Sequence, residues 1–132
     1  MNDALMNIRE MCETFDVTAR TLRFYESKEL LSPIRQGQKR LFTRRDRARL
    51  KLILRGKRFG FSLEEIRQLL NLYDRGDQQE VQLRETYRIA TERLVQMEQQ
   101  RAELDEAIAE LKEQLAWGSE VIASFAARPA AE

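Results

Sequence analysis

Histidine is absent from the 132 residues, cysteine occurs once, proline twice and glycine five times. Each scarcity excludes something. A lone Cys12 permits no disulfide within the chain and no multi-cysteine metal cluster in one subunit. Without histidine, a glycine-rich phosphate loop, or a serine, cysteine or lysine beside a recognisable activating group, enzyme chemistry finds no foothold. No run approaches the roughly 20 apolar residues of a membrane span, and MNDALMNIREM lacks a signal-peptide core. The expectation is a soluble, cytoplasmic protein that is not an enzyme, needs no cofactor and does not engage a membrane. Few prolines and glycines beside 34% charged residues favour long helices over a sheet-rich fold.

Charge is abundant and unevenly placed. The net charge of +1 conceals 17 basic and 10 acidic residues in 1–76, against 6 and 12 in 77–132. Two segments with different partners are implied. Between positions 35 and 58 eleven basic residues accompany one acid, Asp46. So dense a patch attracts a polyanion, either nucleic acid or an anionic membrane surface.

Helical spacing places Ile8, Met11, Cys12 and Phe15 on one apolar face over about 7–15. Phe15-Asp16-Val17 reads as a tight turn, and Thr18 as the N-cap of a second helix over about 18–28. Two short helices joined in this way form a helix-turn-helix pattern. IRQGQKRLF, after Pro33, reads as two short strands around Gly37, a hairpin or wing. Thr43 caps a third helix that Gly60 stops, and Ser62-Leu63-Glu64-Glu65 is a capping box opening a fourth. That fourth helix runs to about Tyr73, buried through Leu63, Ile66, Leu69, Leu70 and Tyr73, and Asp74-Arg75-Gly76-Asp77 marks its end.

From there to Leu115 neither proline nor glycine occurs. Tyr87, Ala90, Leu94, Met97, Arg101, Leu104, Ile108, Leu111 and Leu115 alternate three- and four-residue steps, a heptad seam over about four heptads. At about 1.5 Å per residue such a helix extends roughly 55 Å, too long to bury its stripe within this chain. A partner helix is implied, most simply from a second copy. Arg101 is the polar exception, of the kind that fixes register. Trp117-Gly118 is expected to break the helix, with Ser119 capping a short apolar piece holding Val121, Ile122 and Phe125. The organisation predicted is therefore mainly α: a winged helix-turn-helix domain over 1–76, a coiled-coil dimerisation helix over 77–116 and a short C-terminal segment over 117–132.

The stretch RTLRFYESKELL decides what the first domain is for. At 100° per residue, Arg20, Arg23, Phe24 and Ser27 share one side of its helix, while Leu22 and Tyr25 lie opposite. Arginine near a helix N-terminus is disfavoured by the dipole unless an anion compensates. Phosphate or a guanine edge suits the guanidinium fork. The plain alternative is a solvated face. The preceding helix and turn, the basic hairpin Lys39-Arg40 and the basic helix 44–58 favour double-stranded DNA instead.

NIREMCETFDVTARTLRFYESKELLSP, followed by KRLFTRRDRARLKLILRGKRFGFSLEEIRQLL, resembles the MerR family of bacterial transcription regulators over about residues 7–73. The block RDRARLKLILRGKRFGFSLEEI further resembles the branch controlling leucine and isovalerate utilisation. The resemblance implies that Thr18, Arg20 and Arg23 meet the major groove and that Tyr25, in the family's aromatic pair, also contacts DNA. It matches Lys39 and Arg40 to a backbone-contacting wing, and Lys57 and Arg58 to a second basic turn near phosphates. Family members dimerise through an antiparallel coiled coil, which here would use Tyr87, Leu94, Met97, Leu104, Ile108, Leu111 and Leu115. They typically bend and untwist a two-fold site in a promoter spacer so that RNA polymerase engages both elements; some mainly repress. Three departures stand out: Asp16 and Glu29 replace customary glycines, and Phe24 replaces a common tyrosine. The cysteines of metal-sensing branches are missing from both ends of the dimer helix, and Cys12 reads as core.

Trp117, Ile122 and Phe125, with Val121, either line a small effector pocket or pack against the partner's DNA-binding domain. An effector, if there is one, is by the sub-family resemblance an acyl-CoA or related branched-chain metabolite. Two rival readings stand beside the regulator. A helical adaptor would use the coiled coil for protein partners, with the arginines as solubility charge. An excisionase-like accessory DNA-binding protein would share the first domain without needing so long a helix.

Overall fold

In a computed structural model, residues 4–75 and 80–127 are described, with backbone alone for 73–75. The burial expected of Tyr73, and the part of the expected turn at Gly76-Asp77, fall outside these residues. Eight elements follow in order: β1 (Met6–Asn7), α1 (Ile8–Phe15), α2 (Ala19–Ser27), β2 (Ile34–Gln36), β3 (Lys39–Phe42), α3 (Arg44–Phe59), α4 (Leu63–Arg75) and α5 (Glu80–Ala126). The chain divides into two units, Met1–Ile89 and Ala90–Glu132.

In the first unit the helix starts are set by side chains that satisfy free amides. Asn7 and Glu10 form a reciprocal capping box on α1. Thr18 accepts from the Thr21 amide at 3.1 Å to start α2. Thr43 and Asp46 form a second box on α3, and Ser62 and Glu65 a third on α4. Gly60, at φ 85, ends α3 as predicted.

The three-stranded sheet has the order β1-β3-β2, all antiparallel. Its hairpin turns through Gly37 at φ 60, the first position of a two-residue connection that needs a left-handed residue. β1 is not apparent in the sequence. Its two residues pair with Leu41 and Phe42, a length at which hydrophobic alternation carries no signal.

The core gathers Met11, Leu22, Tyr25, Leu30, Leu31, Phe42, Leu50, Ile53, Ile66 and Leu70 from all four helices, the wing and the link after α2. Cys12 packs against this cluster, half-buried. Asp46 is buried but saturated: one carboxylate oxygen accepts from the Thr43 amide and hydroxyl, the other from the Ser32 amide. It therefore ties the link after α2 to the start of α3.

Both departures from glycine adopt left-handed backbone, Asp16 at φ 55 and Glu29 at φ 61. Asp is among the residues that tolerate this region; Glu is not. Around Glu29 the neighbouring carbonyls are held by distant arginines. Arg67 donates to Lys28 O at 2.7 Å, and Arg49 to Leu30 O at 2.8 Å.

In the second unit, α5 continues through Trp117 and Gly118 to Ala126, so the expected break and the separate segment capped by Ser119 do not occur. An interior glycine costs a helix about 1 kcal/mol relative to alanine, too little to stop one with good helix formers on both sides. Trp117, Ile122 and Phe125 are exposed on that helix. No helix among the described residues is long and apolar enough to cross a membrane.

Candidate nucleic-acid interface

α2 is oriented by its apolar side. Leu22 is fully buried and Tyr25 is 2% exposed, which turns Arg20, Arg23 and Phe24 outward. Phe24 remains 44% exposed, tilted against Tyr25, with the Lys28 ammonium 5.6 Å from its ring centre. Tyr25, expected to help contact DNA, belongs to the core instead. Its position three residues after Leu22 places it on the inward stripe, and burial pushes its phenol pKa up.

Of the other expected contacts, Arg23, Lys39 and Arg40 are brought together. They line one groove of about 410 Å³, beside Asn7 and the start of α1. Thr18 is exposed, but its hydroxyl oxygen is engaged as the cap of α2 and lies 2.9 Å from the Thr21 hydroxyl. Lys57 and Arg58 are exposed in the last turn of α3 and do not line the groove. There they also suit the negative end of the helix dipole.

One acidic residue that the sequence reading does not single out holds a cation of this groove. Glu26 of α2 accepts from Arg35 Nη1 of β2 at 3.0 Å and, through its other oxygen, from Arg40 Nε of β3. Partial burial pushes its carboxyl pKa up, but hydrogen bonds and charge from Arg40 and Arg35 outweigh this and leave it below the usual carboxylate value. No local pattern announces this contact, because the carboxylate lies nine and fourteen positions from its two arginines.

The basic patch is also less free than its count suggests. Of the eleven cations in 35–58, Arg35 and Arg40 hold Glu26, and Arg49 holds a buried carbonyl. Arg47 donates to Ala4 O at 2.9 Å and Phe42 O at 3.3 Å, tying the segment before β1 and the end of β3 to α3. Long-range hydrogen bonds of this kind leave no periodic trace, so a charge count overstates the surface offered to an anion. Among the described residues, no group of three or more His, Cys, Asp or Glu is placed to hold a metal ion.

Family models described as "MerR HTH family regulatory protein" and "MerR, DNA binding" match residues 6–72 and 47–114. The chain is 37% identical over 102 residues to the HTH-type transcriptional regulator ZntR of Escherichia coli K12, spanning 76% of this chain and 71% of that protein. It is 35% identical to the HTH-type transcriptional regulator HmrR of Rhizobium leguminosarum bv. viciae, over 76% of this chain and 77% of the other. A crystal structure of HiNmlR, a MerR family regulator lacking the sensor domain and bound to promoter DNA, superposes with a TM-score of 0.66 at 26% identity. That match covers 90% of this chain and 94% of HiNmlR.

Proposed function

The chain belongs to the MerR family of helix-turn-helix regulators, and from that premise we propose that it acts as a homodimer on a two-fold promoter site. DNA binding and transcriptional regulation are what the family does. The carrying observation is the orientation of α2: Leu22 and Tyr25 are buried, so Arg20 and Arg23 are presented outward next to the groove lined by Lys39 and Arg40.

In this reading Arg20 and Arg23 enter the major groove, where a guanidinium addresses guanine or phosphate in two-pronged fashion. Lys39 and Arg40 of the wing meet the flanking backbone, with Lys57 and Arg58 as further phosphate contacts. The second copy is supplied through α5, where Tyr87, Leu94, Met97, Leu104, Ile108, Leu111 and Leu115 are all exposed along the heptad seam. Two copies would grip both half-sites and distort the spacer between them, letting RNA polymerase engage both promoter elements in the cytoplasm. The likeness of residues 45–66 to the leucine and isovalerate branch makes a branched-chain acyl-CoA the effector class to try first, with Trp117, Ile122 and Phe125 as its candidate contacts.

The test is binding of the full chain to a duplex enriched from random sequence, compared with a scrambled duplex. Replacing Arg23 with alanine is expected to cost about 1–3 kcal/mol on the enriched site and relax specificity at one base pair per half-site. Unchanged affinity for both duplexes would remove α2 as the reading helix. A helical adaptor predicts no salt-sensitive duplex binding by the wild type at all.

A further inference from the structure

Arg35 and Arg40 are directly opposed across the β2–β3 pair. Like charges so placed destabilise a hairpin, yet here one carboxylate from a different element answers both. The Glu26 side chain is 21% exposed and that of Arg40 22%, so this contact is substantially screened from water, whereas Arg35 is 47% exposed. Glu26 sits on the same helix as Arg23, and Arg40 shares a groove with both Arg23 and Lys39. The carboxylate therefore stands at the margin of the surface that would meet phosphates, and it occupies the wing cations that any duplex could otherwise use.

We propose that Glu26 is a specificity-determining positioning residue: it fixes the wing against α2 and withholds Arg35 and Arg40 from non-specific phosphate contacts. The proposal rests on the DNA-binding reading above. Phosphates are identical in every sequence, so cations free to meet them raise affinity for all duplexes alike. A fixed negative charge beside them repels the backbone unless base contacts made by α2 repay the approach. Lys39, exposed and at the wing's tip, is left as the wing cation that meets phosphate on any duplex, and Arg40 joins it only where α2 fits the bases. Glu26 thus lowers indiscriminate binding more than it lowers binding to the right site.

The experiment compares wild type with Glu26→Gln, which keeps the shape and an acceptor oxygen while removing the charge. Affinity for the enriched and scrambled duplexes is measured across salt, between about 50 and 200 mM. Each arginine released should steepen the slope of log affinity against log salt on scrambled DNA by about 0.9, or about 1.8 when both chains of a dimer release the same one. Over that salt range this is an extra loss of roughly three- to fourfold per arginine, and the preference for the enriched site should fall by a similar factor. Neutralising the arginines as well, in E26Q/R35Q/R40Q, should abolish the steepening. An E26Q slope and preference equal to wild type would overturn the proposal, as would a steepening that persists in the triple variant. A wild type that binds no duplex in a salt-dependent way removes the DNA reading itself, and the proposal with it. Should E26Q fail to fold, the wild-type protein still decides. The side-chain Nε–H of Arg40 should exchange slowly with solvent both free and on scrambled DNA, and rapid exchange in the free protein would sink the clamp.

Discussion

The Nε–H of Arg49 donates to the main-chain carbonyl of Leu30 over 2.8 Å, inside the core and one residue past the left-handed Glu29. With Arg67 on Lys28 O, it pins the carbonyls on both sides of a residue whose backbone conformation its side chain disfavours. The missing glycine is thus tolerated because the link after α2 is held from α3 and α4.

It follows that Glu29→Gly should stabilise the protein. Relief of the left-handed penalty is about 1–2 kcal/mol, and the greater freedom of glycine in the unfolded chain takes back roughly 0.5–1 kcal/mol. A net gain of about 0.5–1 kcal/mol is expected in urea unfolding, larger than that from Asp16→Gly, because aspartate tolerates the region better. Arg49→Met should go the other way by about 1.5–3 kcal/mol, since it leaves a buried carbonyl without its charged donor. A stabilised R49M would mean that Leu30 O finds another partner.

Two helical glycines should respond oppositely to alanine. At Gly56 an added Cβ would lie 2.8 Å from Cγ1 and 3.3 Å from Cδ1 of Ile66, a side chain with no exposed surface. The overpacking cost of about 1–3 kcal/mol should exceed the roughly 1 kcal/mol gained in helix propensity. Gly118 has nothing within 4 Å of the same position, so Gly118→Ala should gain close to the full amount, about 1 kcal/mol. Thermal unfolding followed by circular dichroism measures both. A stabilised G56A would show that α3 and α4 are looser than their contact implies.

What could be read in advance divides along the range of the interaction. Caps at Thr18, Thr43 and Ser62 were legible because a cap and its amide lie three residues apart. The outward face of α2 was legible because helical period alone separates Arg20 and Arg23 from Leu22. Tyr25 shows the limit of motif matching, since it carried a DNA role from resemblance although the same period put it inside. The Glu26 clamp and the arginines at Leu30, Lys28 and Ala4 join residues 9 to 43 positions apart, and no local pattern announces them. At Gly118 composition misled, because a glycine is a weak breaker when the helix around it is long.

Glu26 also makes the wing sensitive to acid. Its folded pKa lies below the ordinary value, so its contribution to stability is present in full above the unfolded pKa and is lost as pH falls through the folded one. The stability difference between wild type and E26Q should therefore be constant from pH 7 down to about 5 and should shrink below about pH 4. Urea unfolding at both ends of that range measures it. A difference that grows on acidification would mean that the protonated carboxyl is the form the wing prefers.

In the second unit α5 has no buried residue, although Leu104, Ile108, Leu111 and Leu115 recur at heptad spacing. Exposed leucines at that spacing gain about 1.5–3 kcal/mol each when a second helix covers them, enough in sum to hold two copies together. Leu104→Asp with Ile108→Asp would place two charges per chain in that seam, and a charge without a partner is costly to bury. Sedimentation at micromolar concentration should find wild-type dimers and variant monomers, with Ala4–Leu70 as folded in one as in the other. If the variant remained dimeric, the seam would not be the contact. If it became monomeric yet bound the enriched duplex as tightly as wild type, the two-fold site would lose its reason.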